Sequence, residues 1–187
     1  MKRLVLIISV LVSAGLFVGC GKDNEKDKTI SDTTYYEYIA ESILNSINDL
    51  WNQNIAGRPS GHTDLYVDGV YGGSVHIQGE GQNASDVNID AFDFTYSFTN
   101  FKYYHSNKNI PTDGYIVLTG DIANKGSNGN DFYNATFKSN YLQVSGLVTY
   151  KDRERTINET GEIGITRKSD NGNNSVNGVV FDKKVSW

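Results

Sequence analysis

A chain of 187 residues suits one domain, and its 17 basic against 22 acidic side chains leave no cationic excess for nucleic acid or for anionic lipid headgroups. One cysteine excludes a disulfide framework within the chain. Removing residues 1–19, which hold Lys2 and Arg3 but no acid, would move the net charge from −5 to −7 and sharpen both exclusions.

The N-terminus has the three parts of a secretory signal: Lys2 and Arg3, an apolar run from Leu4 to Val18, and a small-residue exit at Gly19. The run of roughly 15 residues is too short for a stable spanning helix. It ends at the sole cysteine, Cys20. The stretch Leu16-Phe17-Val18-Gly19-Cys20 resembles the lipobox of bacterial lipoproteins, with Phe17 where that family more often has leucine. The resemblance implies a signal peptide over 1–19 and a Cys20 that becomes residue one of the mature protein and carries acyl chains such as palmitate. It also implies a place in the bacterial cell envelope, at the periplasmic or surface face of the outer membrane sooner than at the inner one. An exported chain with one cysteine gives that thiol no partner, and acylation gives it a use. Two chains would anchor firmly where one binds only marginally.

Residues 20–33 read as the acylated cysteine and a flexible polar tether, because they lack apolar periodicity. Within them Gly21-Lys22-Asp23-Asn24-Glu25 resembles charged stretches that route some lipoproteins to the cell surface, a solvated tether being the simpler reading. Residues 34–187 then form a single helix-plus-antiparallel-β domain. Tyr36, Ile39, Ala40, Ile43, Ile47, Leu50 and Trp51 step by three and four, which predicts an amphipathic helix over 34–55. Thr34 and Glu37 fit a capping box, and Gly57 with Pro59 a stop. Glu41, Ser42, Asn45, Ser46, Asn48 and Asp49 fall mainly on the wet side. That side lacks the Lys and Arg of a membrane-surface helix, so the oily face should pack on a sheet.

From Leu65 the period changes to two. Phe92, Phe94, Tyr96 and Phe98 alternate with Asp93, Thr95, Ser97 and Thr99, as in a half-buried strand. Glycines recur on the apolar side of further strands, at Gly79, Gly120, Gly146, Gly161 and Gly178, and predict curling or close backbone approach. Glu159 interrupts one apolar row. Short polar connections, among them Asn171-Gly172, predict an antiparallel meander. Strands are expected near 65–80, 87–101, 113–123, 132–150 as one or two, 155–167 and 175–186. The fold class is thus mainly β: one N-terminal amphipathic helix packed on a curved antiparallel meander sheet of six or seven strands, a half-barrel or barrel-like shape. Tyr71-Gly72-Gly73-Ser74-Val75, the aromatic alternation, Thr119-Gly120 and Ser145-Gly146 resemble exported β-rich bacterial lipoproteins without assigned activity.

Nothing in the chain assembles a catalytic set, and a non-enzymatic protein is expected. His62, His76 and His105 have no second histidine at metal-ligand spacing; His62 with Asp64 is the nearest pair. There is no Gly-x-Ser-x-Gly elbow. The Asn-rich stretch Asn124 to Asp131 fails the calcium-loop pattern, having Gly126 at its third position and Ala135 at its twelfth. Neither metal nor cofactor is expected. Twelve tyrosines are many for this length, and Tyr103 and Tyr104, placed in a loop after the aromatic strand, are the candidate interaction residues. Cys20 is the candidate lipid-attachment site. The expected function is a membrane-anchored envelope protein that binds a protein or glycan, with no nucleic-acid partner. The alternative is a carrier of an apolar ligand, an acyl chain or lipid, in the concave face of the sheet.

Overall fold

The computed structural model describes residues 29–85, 88–107, 111–128, 132–170 and 172–187. Within them one helix, α1 (Asp32–Asn54), precedes eight strands: β1 (Gly61–Asp68), β2 (Ser74–Ser85), β3 (Asn88–Asn107), β4 (Thr112–Asn128), β5 (Phe132–Tyr150), β6 (Arg153–Asp170), β7 (Asn173–Val180) and β8 (Lys183–Ser186). Each strand pairs antiparallel with the next, and the sheet stays open, with β1 and β8 as its edges. The mainly β class, the single N-terminal helix and the antiparallel meander agree with the periodicities.

The strand count exceeds six or seven because two stretches expected as single strands are hairpins. Residues 65–80 are split by a turn in which the Gly69 amide donates to the Gly73 carbonyl at 2.9 Å. Residues 175–186 are split at Phe181 and Asp182, whose φ values of 50° and 65° are those of a type I′ hairpin turn. Neither residue is the usual Asn or Gly, so the turn leaves little trace in the sequence. Residues 132–150 form one strand, with a register shift between Ser139 and Leu142.

The helix begins before Thr34. Ser31 is the N-cap, its hydroxyl accepting from the Thr34 amide at 3.2 Å, so Thr34 supplies the amide that is capped and is not itself the cap. Ile30, at the end of the expected tether, is only 2% exposed and belongs to the core. Arg155 on β6 fastens this end: it donates to Asp32 Oδ1 at 2.7 Å and lies 3.6 Å over the Tyr35 ring. That bond holds the Asp32 carboxyl below the usual carboxylate range.

Ile39, Ile43, Ile47 and Leu50 pack with the inward residues of the sheet, Val75 and Ile77, Phe92 to Phe98, Ile116 and Leu118, Leu142 and Val144, into one core. Ser42 and Ser46, expected on the wet side, are buried too; Ser46 turns its hydroxyl back to the Ile43 carbonyl at 2.8 Å. The helix is therefore covered over a wider arc than its apolar stripe. Of the five glycines expected on the apolar side, four sit where neighbouring backbone comes close: a Cβ on Gly79 would fall 2.1 Å from the Asp93 carbonyl oxygen, and one on Gly178 2.3 Å from that of Gly164. Gly161 is the exception, its Cβ meeting only Phe181 at 3.4 Å.

Candidate functional site

Tyr103 and Tyr104 lie inside β3, not in a loop, and their side chains point to opposite faces. The cause is a bulge. Phe98 pairs with Gly120 and Phe101 with Leu118, so Thr99 and Asn100 together oppose Thr119. Asn100 takes the left-handed conformation, φ 49°, and Thr119 fixes it, accepting from the Asn100 amide at 3.2 Å and donating to Asn100 Oδ1 at 3.3 Å. The extra residue inverts the alternation that Phe92 to Phe98 had set. Phe101 and Tyr103 turn inward, while Lys102 and Tyr104 turn outward.

The β1–β2 turn docks on this bulge. The Lys102 amide donates to the Gly72 carbonyl at 3.0 Å, and Gly73 lies so close that a Cβ there would meet the Asn100 oxygen at 2.1 Å. Gly72 and Gly73 have φ of 109° and 76°, values open mainly to glycine. This contact brings Val70 and Tyr71 beside Tyr104. Tyr71 and Tyr104 meet edge to face at 4.7 Å, Tyr104 and Tyr115 at 5.5 Å, and the Lys102 ammonium sits 4.1 Å from the Tyr115 centroid and 4.9 Å from that of Tyr104. Tyr104 holds that ammonium above its ordinary pKa. Tyr71 remains 58% and Tyr104 47% exposed, so ordered rings are offered to the outside.

Next to them a groove of about 250 Å³ runs between the turn and α1, with Asp49, Gln53, Val70, Tyr71 and Tyr103 among its walls. Tyr103 donates to Asp49 Oδ2 at 2.7 Å, and burial together with this bond raises its phenol pKa. Tyr103 thus fixes the floor while Tyr104 forms the rim. Sequence reasoning missed Tyr71, Lys102 and Tyr115; the glycines at 69, 72 and 73 were the available signal for the turn that gathers them.

The histidines play other parts. Asp64 binds His76 across the β1–β2 pair at 2.8 Å, not its near neighbour His62, and also accepts from Gln78 at 2.9 Å. The His76 bond, then that from Gln78, holds the Asp64 carboxyl below its usual range. Tyr66 stacks on His76 at 4.0 Å. His105 faces α1, with Nε2 3.5 Å from Glu41 Oε2. No three His, Cys, Asp or Glu among the described residues are placed to hold a metal. Asn124 to Asn128 continue β4, and the rest of the Asn-rich stretch, like Cys20, lies outside the described residues. Among the described residues no helix is long and apolar enough to cross a membrane. Comparison with protein-family models, with curated proteins and with solved structures finds no match to this chain.

Proposed function

We propose that this is a non-enzymatic binding protein of the bacterial envelope, exported on its N-terminal apolar run, anchored through acyl chains on Cys20, and using its tyrosine face to hold a glycan. The sheet is best read as a trough bent round the helix, which leaves binding to its outer surface and ends. The observation that carries the reading is the cluster of Tyr71 and Tyr104, both exposed, and half-buried Tyr115, with Lys102 at its side. Tyrosine rings stack on the apolar faces of sugars, and they lose little conformational entropy when already held by neighbours. The adjoining groove supplies Asp49 and Gln53 as hydrogen-bonding groups. Its volume of about 250 Å³ is near the lower end of small-molecule sites, which fits a single small unit of a glycan. The carrier reading has less behind it, since Ile39, Ile43 and Ile47 occupy the concave face where an acyl chain would lie.

The test is binding of the detergent-purified full-length protein to an array of bacterial envelope and host glycans, beside Tyr104→Ala and Tyr71→Ala. Saturable binding that weakens about tenfold or more in either variant, with an unchanged thermal midpoint, supports the reading. Binding that ignores both substitutions, or a protein partner captured in place of any glycan, refutes it.

A further inference from the structure

A second recess, on the far side of α1 from the tyrosine face, is built from polar residues where the fold calls for apolar ones. On the inward face of β4, β5 and β6, Ile122, Phe137 and Ile165 are buried. Beyond them the inward positions include, besides Gly126 and buried Ala135, Asn124, Asn128, Tyr133 and Arg167, which with Asn52 and Trp51 of α1 line a space of about 150 Å³. One ordered water needs only ~10–15 Å³, so the space admits a small organic molecule.

Three features narrow its chemistry. Among the described residues none of the side chains lining the recess is a carboxylate, and Arg167 has the Tyr133 ring, 5.7 Å away, as its neighbour there. Asn124 is 2% exposed and lies beside the Tyr96 hydroxyl, and its Oδ1, an acceptor without a bond of normal geometry among the described residues, calls for a donor such as a hydroxyl on the occupant. Trp51, Tyr133 and Phe137 give the remaining wall an apolar character. One guanidinium, several amides and aromatic cover match a molecule with one negative charge and a carbon body.

We propose that this recess binds a small organic monocarboxylate. The Arg167 fork takes both carboxylate oxygens, Asn124 Oδ1 accepts from a hydroxyl on the carbon body, and the rings cover the carbon skeleton. A phosphate or sulfate dianion would bring a second charge for which the lining has no further cation among the described residues, so inorganic anions are the discriminating controls.

Trp51 supplies the readout. Its indole is packed against Phe92 and Phe94, with ring centroids 4.9 Å and 5.5 Å away, and replacing Trp187 by phenylalanine leaves it the only tryptophan. The full-length Trp187→Phe protein is titrated with acetate, lactate and glucuronate, with lactamide as the neutral control and with inorganic phosphate. A saturable change in Trp51 emission with at least one carboxylate is expected, absent with lactamide. Affinity should fall about tenfold or more in Arg167→Gln and measurably in Asn128→Ala, each at an unchanged thermal midpoint. No saturable response to any of the three carboxylates, equal binding of phosphate, or undiminished binding by both variants would overturn the proposal; should Arg167→Gln fail to fold, Asn128→Ala decides.

Discussion

Gly146 lies in the C-terminal half of β5, opposite Ile116 on β4 and Ile157 on β6. Its φ is 149°, and a Cβ built on it would stand 2.1 Å from the Tyr115 carbonyl oxygen and 3.1 Å from the Ile116 Cα. Both obstacles are backbone, so no side-chain rotation relieves them; β4 must move by about an ångström or the ladder must open. Gly146→Ala therefore combines an unfavourable backbone conformation, of order 1–3 kcal/mol, with overpacking of about 1–3 kcal/mol. The sum is a large share of the ~5–15 kcal/mol that a domain has in total. Gly164 on β6 is the control, because a Cβ there meets nothing within 4 Å. At that position alanine should be neutral or stabilise by about 0.4–1 kcal/mol through the unfolded chain. Urea unfolding followed by far-ultraviolet circular dichroism, with an m-value of about 1–3 kcal/mol/M, should show the Gly146→Ala midpoint lowered by roughly 1–3 M and that of Gly164→Ala unmoved or raised. Equal midpoints for the two variants would mean that close approach between β4 and β5 is not what keeps glycine at 146.

Burial raises the phenol pKa values of Tyr35, Tyr38, Tyr96 and Tyr103 and pushes Tyr133 up to about 12. The folded chain then holds protons that the unfolded chain gives up, so this stability is complete below about pH 10 and is lost as pH rises, Tyr133 alone giving about 1.4 kcal/mol per unit between 10 and 12; a flat urea midpoint over that window would contradict it. Ser31→Ala should lower stability by about 1 kcal/mol and Thr34→Ala by less than half as much, and the reverse order in thermal melts would return the cap to Thr34. Glu159→Leu leaves the Tyr35 and Tyr36 hydroxyls, now 3.0 Å and 3.3 Å from Glu159 Oε1, without that acceptor and should cost about 1–3 kcal/mol, whereas Glu159→Gln should cost less than half of that in the same denaturation assay. Cys20→Ala should move the chain from the membrane pellet to the soluble fraction with an unchanged circular dichroism spectrum; wild-type protein found in the soluble fraction would refute the anchor.

Patterns carried by many residues could be read from the sequence, and events carried by one or two could not. The helix announces itself by apolar residues from Tyr36 to Trp51, and β3 by four alternating rings, because each repeats one physical requirement several times. The Phe181-Asp182 turn is a single event in residues that ordinarily avoid positive φ, and tertiary pairing of β7 with β8 imposes it. Glu159 was visible as an interruption of the inward row, but its reason was not. Two tyrosines more than 120 residues earlier in the chain provide it, donating from the first turns of α1. The same limit explains the misplaced helix start, since Ser31 and Thr34 are both good caps and only the geometry of the entering chain, with Ile30 drawn into the core, selects between them.

The tyrosine face depends on such a single event. Continued from Phe98 without interruption, an alternation of period two would carry residues 100, 102 and 104 inward and 101 and 103 outward, burying a lysine and exposing a phenylalanine. The residue added at Asn100 exchanges these sets and puts Phe101 into the core, where it is 6% exposed. It also presents the Asn100 backbone to Gly73 and so fixes where the β1–β2 turn lands. One inserted residue thereby completes the core below and gathers Tyr71, Lys102, Tyr104 and Tyr115 above. Substitution at Asn100 should consequently act on the face through the bulge. Glycine, which adopts its φ of 49° freely, should preserve the Tyr71–Tyr104 contact, while valine, disfavoured there by about 1–2 kcal/mol, should loosen it.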